Sequence, residues 1–422
     1  MVSASPFIDL LTRCPQSHCG KPITAGSATC PACVEDYQTC PACGASNRLR
    51  VSYCRGCGKT LEEEVWPMHP GLRAAAPTAP RLIHALGEHR ITNLDIDVVA
   101  APVATGEIIL VPAHGGGIIV LDISDGKPLG RIDTPGPIEV TPAINSGFLF
   151  VAAGSRLIAF DLLGAPAQAD EIKPCWTADT RDGNVTQPLV AGHRALYFVT
   201  GGRGRGALHA LSQASDGQRL WPQPLVFDSE LLPPVMLREH LVVISGRGEL
   251  RVLDPADGRV LASGQASGGR VDTAVLPFVV EDHVLFADTS GNVYKLTLEG
   301  AAISCNYLYG LGNNARISCI AASRDYIVLG HSAGVTLLDA YGNRRWQDTS
   351  SEAVTVPPVL TGDTLFVVDD LGNAVLYDAA QGNPTEKRRR LFEGESSVAS
   401  LIAGDKLAAV NSEGKVALIE WV

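Results

Sequence analysis

A chain of 422 residues that is 45% hydrophobic has room for one large repeat domain with an appendage, and its 43 glycines and 27 prolines favour tight turns over long helices. The formal net charge of −11 excludes nonspecific nucleic-acid binding by the molecule as a whole, because phosphate contacts need clustered cations. No apolar run reaches the roughly 18–20 residues that cross a bilayer, so no membrane partner is expected.

The first residues, MVSASPFIDLLTRC, place Asp9 inside a short apolar stretch with no early Lys or Arg, unlike a secretory signal. Arg13, directly before Cys14, is too large for a lipoprotein cleavage position. The expected compartment is the cytoplasm, with residues 1–13 as a tail.

Eight of the eleven cysteines follow in two sets of four. Cys14 and Cys19 are followed after ten intervening residues by Cys30 and Cys33, and Cys40 and Cys43 after another ten by Cys54 and Cys57. Short loops between paired thiolates let both reach one ion, and ten residues suffice for a hairpin that returns the second pair. The pattern resembles a double zinc ribbon over residues 14–58, which implies two structural Zn2+ ions, each closed by four thiolates. Rubredoxin-like iron and a disulfide cluster are the competing readings. Cys175, Cys305 and Cys319 stand alone in apolar or strand-like contexts and read as core residues. Residues 59–81, with EEE and a Pro/Ala-rich run, read as a linker.

From residue 82 onward a phrase recurs: an apolar strand marked by proline, a second strand, a Gly-centred turn, a third strand, and a weaker fourth. The marker falls at Pro102, Pro142, Pro188, Pro234, Pro277, Cys319, Pro358 and Ser400, at spacings of 40, 46, 46, 43, 42, 39 and 42. Four strands in about forty residues is the mark of a β-propeller, here with eight units. The last unit ends at Val422 after its third strand. The segment RLIHALGEHRITNLDIDVVA, ahead of the first unit, is therefore expected to supply the missing outer strand. Trp176, Trp221 and Trp346 recur in the fourth-strand region and read as blade-packing residues.

The proline-marked first strand, the LD…DG third strand and the late tryptophan resemble the eight-bladed propellers of the quinoprotein alcohol dehydrogenase-like superfamily. The resemblance covers residues 82–422 and implies an all-β, PQQ-like fold. The superfamily includes quinone-dependent dehydrogenases and noncatalytic scaffolds of the BamB type, so the resemblance leaves activity open.

Two motifs suggest a serine hydrolase: Gly330-His331-Ser332-Ala333-Gly334 as a nucleophile elbow and His114-Gly115-Gly116-Gly117 as an oxyanion loop. No histidine follows Ser332 in the chain, and the elbow requires a strand running into a helix, whereas VTLLDAYG reads as another strand. Both motifs fall in the repeated slot between second and third strands, also seen as GGRGRG, SGRGE, DTSGN, DDLGN and NSEGK.

The expected function is a noncatalytic protein-binding scaffold without a small-molecule substrate. The disc forms one contact surface and the zinc ribbons a second. Similar modules occur in bacterial multicomponent signalling or conflict systems, and the resemblance implies that setting. The alternatives are a quinone-dependent dehydrogenase and nucleic-acid binding through Arg48, Arg50 and Arg55 of the second ribbon. The turn slot brings His114, Arg203, Arg205, Arg247 and His331 to one face, a candidate surface for an acidic or phosphorylated partner.

Overall fold

In a computed structural model, the structure describes residues 38–39, 46–47 and 86–421, less 106–107, 146, 163–171, 181–182, 193–194, 203, 214–216, 267, 269, 301, 313–314, 350–351, 386, 394–395 and 404–405. All eight ribbon cysteines lie outside the described residues. In that region one short antiparallel ladder is described, pairing Gln38 with Asn47 and Thr39 with Ser46.

The remainder is eight four-stranded antiparallel sheets, each running from inner to outer strand in chain order except the last. Blade 1, for example, runs through Val103–Ala104, Ile108–Pro112, Ile118–Asp122 and Pro128–Ile132. Proline precedes the inner strand in blades 1 to 5 and 7, where an edge position spares its missing N–H.

Because neighbouring blades cover both faces of each sheet, the second and third strands read as continuous apolar runs rather than alternating ones. The two faces remain distinct. Ile108 and Leu110 pack into the layer shared with blade 2, while Ile109 and Val111 pack into the layer shared with blade 8.

The ring closes as the repeat count predicts. Leu86–Asn93 forms the outer strand of blade 8, beside Lys415–Trp421, Lys406–Asn411 and Ser397–Ala403. The ladder runs from Leu86 opposite Trp421 to Asn93 opposite Lys415. Neighbours hold this strand on both sides. Arg389 Nη2 of blade 7 donates to the Leu86 carbonyl at 2.8 Å, and Thr92 Oγ1 donates to the Gly126 carbonyl of blade 1 at 2.9 Å.

Each of the three recurring tryptophans packs on a glycine of the next blade. Trp221 lies over Gly258 and donates Nε1–H to the Pro255 carbonyl at 3.3 Å. Trp346 lies over Gly382 and donates to the Ala379 carbonyl at 2.8 Å. Trp176 covers Gly217. At Gly258 φ is +75° and a Cβ would sit 2.7 Å from the Trp221 ring, so both conformation and space require glycine.

Between blades 4 and 5 the device differs. The blade 5 hairpin, Asn292–Glu299 with Ala302–Gly310, is the longest third-and-fourth-strand pair. Its Leu298, Ile303 and Cys305 pack on Leu261 and Ala262 of blade 4. Of the three isolated cysteines, Cys319 is buried and Cys305 half-buried, but Cys175 is exposed. It is the extra residue of a bulge between Pro174 and Trp176 on an outer strand, where side chains turn to solvent.

In blades 4 to 8 the turns between second and third strands share one design. Their first residue points inward and its side chain accepts hydrogen bonds from the turn's own amides. Ser245 Oγ accepts from Glu249 N at 3.0 Å, Asp288 Oδ1 from Ser290 N and Asn292 N at 2.9 Å, and Asn411 Oδ1 from Lys415 N at 2.7 Å. Burial pulls the Asp288 carboxyl up, but hydrogen bonds from Asn292, Tyr294 and Ser290 outweigh it and hold the pKa below the usual value. Tyr294, buried against that carboxylate, is pushed up to about 12.

In blade 6 this position is His331. Its Nδ1 accepts from Ala333 N at 3.2 Å and its Nε2 pairs with Thr336 Oγ1 at 3.0 Å. The ring is fully buried, and burial lowers its pKa. At Gly334, φ is +123° and a Cβ would overlap the Asp348 carbonyl oxygen, so the GHSAG sequence is turn chemistry.

Two predictions follow from closure and capping. Deleting residues 1–81 should leave a folded domain with one cooperative unfolding transition and the same association state as the full chain. Deleting residues 1–100 should lower the midpoint and promote association through the exposed blade 8 edge; equal behaviour of the two truncations in calorimetry and size-exclusion chromatography would disprove closure as a stabilising contact.

The second prediction concerns pH. His331 and His283 are both held below the usual 6.5, His283 by burial and then by Lys295. The unfolded chain therefore binds more protons on acidification, and stability should fall as pH drops below about 6.5. His331→Asn keeps an acceptor of the kind Asn411 supplies. It should flatten part of the decline in melting temperature between about pH 7 and pH 5; an unchanged slope would refute the assignment.

Candidate interaction face

Backbone hydrogen bonds tie the turns of blades 1, 2, 4, 5, 7 and 8 to the loop that enters the same blade. His114 N donates to Asp97 O, Gly246 N to Glu230 O, and Thr289 N to Arg270 O, each at 2.8 Å, while Asp370 N donates to Ala353 O at 2.9 Å. Turns and entry loops therefore form a single face, with the backbone groups largely paired among themselves.

The HGGG sequence in blade 1 uses its amides internally. Gly116 N donates to Ala113 O at 3.0 Å and Gly117 N to Thr134 Oγ1 at 2.7 Å. Arg131 Nη2 donates to the Gly116 carbonyl at 2.7 Å. Donors engaged in this way do not form an oxyanion hole, which needs free amides aimed at a reacting oxygen.

The five residues expected on this face do not all present themselves. Arg205 is exposed at the start of the third strand of blade 3, 3.7 Å from Asp228. Arg247 is exposed in the blade 4 turn, and among the described residues it has no ion pair. His114 is half-buried, with its Nδ1 buried and unpartnered. His331 departs from the expectation of a surface cation: burial and its two hydrogen bonds keep the ring neutral inside the turn. Arg203 lies outside the described residues.

Two arginines join the face from entry loops that the turn slot does not include. Arg270, ahead of blade 5, lies 3.7 Å from Glu230, and Arg316, ahead of blade 6, lies 2.9 Å from Asp272. Arg205, Arg247, Arg270 and Arg316 thus form an arc over four successive blades. Elsewhere on the face the exposed charges are mainly acidic: Asp95, Asp97, Asp133, Glu139, Glu352, Glu393 and Glu413.

Exposed pairs such as Arg205–Asp228 and Arg270–Glu230 contribute only about 0–1 kcal/mol each. Exchanging those carboxylates for a ligand's anionic groups therefore costs little. Among the described residues no group of three or more His, Cys, Asp or Glu is placed to hold a metal ion.

Comparison with known proteins agrees with this architecture. The PQQ_2 family model, described as outer membrane protein assembly factor BamB, matches residues 165–304. No curated protein sequence matches. Among solved structures, BamB from Moraxella catarrhalis superposes with a TM-score of 0.63 at 16% identity, covering 80% of this chain and 98% of that one. Sqt1 from Saccharomyces cerevisiae gives 0.60 at 14% identity, over 79% and 98%. The quinohemoprotein alcohol dehydrogenase from Comamonas testosteroni gives 0.61 at 15% identity, over 79% and 76%. At these identities the likeness is one of fold, shared by enzymes and assembly factors alike. Eight four-stranded sheets in a closed ring make the described chain an eight-bladed β-propeller, and the BamB-like family match falls within it at residues 165–304.

Proposed function

We propose that this protein is a noncatalytic binding scaffold whose propeller face receives an acidic or phosphorylated protein segment, with an N-terminal double zinc ribbon as a second contact module. The arginine arc carries this reading. Four guanidinium groups sit on turns and entry loops held by backbone hydrogen bonds, so little of the frame has to be ordered on binding. Guanidinium offers paired donors to carboxylate or phosphate; the weak exposed pairs of Arg205 and Arg270 leave their donors exchangeable, whereas Arg316 is held by buried Asp272. The name of the matched family, an assembly factor, is consistent with a protein partner.

For the ribbons, support comes from the cysteine spacing and from the ladder between Gln38–Thr39 and Ser46–Asn47, which brackets Cys40 and Cys43 in the chain. Thiolate ligation closes each ion's shell, so the metal stabilises the module rather than activating water.

Two measurements test the proposal. The triple charge reversal of Arg205, Arg247 and Arg270 to Glu, with Arg316 kept because it pairs with buried Asp272, should leave the unfolding midpoint near wild type. It should weaken binding of Glu-rich or phosphoserine peptides at least about tenfold by fluorescence anisotropy, equivalent to about 1.4 kcal/mol; wild-type affinity in the variant would remove this face. Metal analysis of reduced full-length protein should return about two zinc ions per chain, and none for a chain starting at residue 82. A value near zero for the full chain would end the ribbon assignment.

A further inference from the structure

The outer strand of a propeller blade is an open sheet edge, and natural sheets blunt such edges with short strands, charges, proline or a covering segment. Most outer strands here do so. Blade 1 carries Pro128 and Arg131, blade 2 Pro174 and Asp179, and blade 6 Arg344 and Arg345. Blade 7 carries Arg389–Arg390, blade 8 Glu88 and Arg90, and in blade 3 the strand is only three residues long. Blade 4's Val260–Gln265 is uncharged but lies against the blade 5 hairpin.

Blade 5 is the exception. Its outer strand, Ala302–Gly310, has nine residues, AISCNYLYG, with no charge and no proline, and it ends its sheet. Ala302, Ser304, Asn306 and Tyr307 are exposed, Tyr307 by 58%. A bulge is present, but it falls between the residues opposite Val293 and Tyr294, leaving Ala302–Tyr307 as a regular run.

We propose that this edge pairs antiparallel with the same edge of a second copy of the chain, forming a twofold dimer whose two blade 5 sheets become continuous. Self-pairing is favoured over a foreign strand by charge. In a twofold pair the strand meets its own side chains in reverse order, and nine uncharged residues bury no unpaired charge there. The net charge of −11 on each copy opposes association, so added salt should strengthen the dimer by screening, the opposite of a contact built on ion pairs.

Sedimentation equilibrium on the full chain tests this, in reducing buffer so that exposed Cys175 forms no cross-link. The expected wild-type result is a two-chain mass that becomes more prevalent with protein and salt concentration. Ser304→Lys with Asn306→Lys adds two cations per copy at exposed positions of the edge, where twofold pairing brings the four together. It should give a single-chain mass at wild-type unfolding midpoint, whereas Val226→Lys on the short blade 3 strand should leave the dimer intact. A wild-type monomer at all concentrations, or a dimer that survives the double lysine variant, would overturn the proposal.

Discussion

Pairing between Leu86–Asn93 and Lys415–Trp421 converts a row of sheets into a ring. Each blade buries its faces only against its neighbours, so a row would leave one apolar face bare at each end. The layer joining blade 8 to blade 1, with Val410 and Leu418 against Ile109 and Leu121, exists because the row has closed. The covalent link from the outer strand of blade 8 into blade 1 keeps those two faces together, which spares part of the entropy of joining chain ends.

On that frame, order passes from the core to the surface through the turns. A buried side chain at the first turn position satisfies the turn's amides, and a following amide binds the adjacent entry loop. An arginine such as Arg247 therefore stands on backbone fixed from two directions. The glycines of the two hydrolase-like motifs serve the turns in a related way: Gly116 and Gly117 spend their amides within blade 1, and Gly334 opens the third strand of blade 6 at positive φ.

Features tied to the repeat were legible in the sequence. The marker residues precede the inner strands by one or two positions or lie within them, the closing strand falls where the count of units requires it, and the tryptophans pack between blades. His331 was misleading because the slot was read as exposed, whereas in blades 4 to 8 its first position is turned inward and takes Ser, Asp, Asn or His as an acceptor. Arg270 and Arg316 escaped notice because entry loops vary in length and do not align with the period. The blade 5 hairpin had a faint signal: LTLEG lacks the Asp found at the end of the third strand in blades 1, 2, 4, 6 and 7, and the ladder runs on through Leu298 and Glu299. The comparison of outer edges required the sheet order and could not be read from any one strand alone.

Closure also has a consequence for biosynthesis. Arg389 and Leu86, in contact once the ring is complete, are 303 residues apart in the chain. At 5–20 residues per second, a ribosome needs roughly 15–60 s to cover that separation. Throughout that interval the closing strand is already made but has no partner, and the exposed apolar face of blade 1 awaits blade 8. Successive blades can dock in order as they emerge, but the ring seals only with the last strand, so a nascent chain is most vulnerable to wrong pairing when nearly all of it has been synthesised.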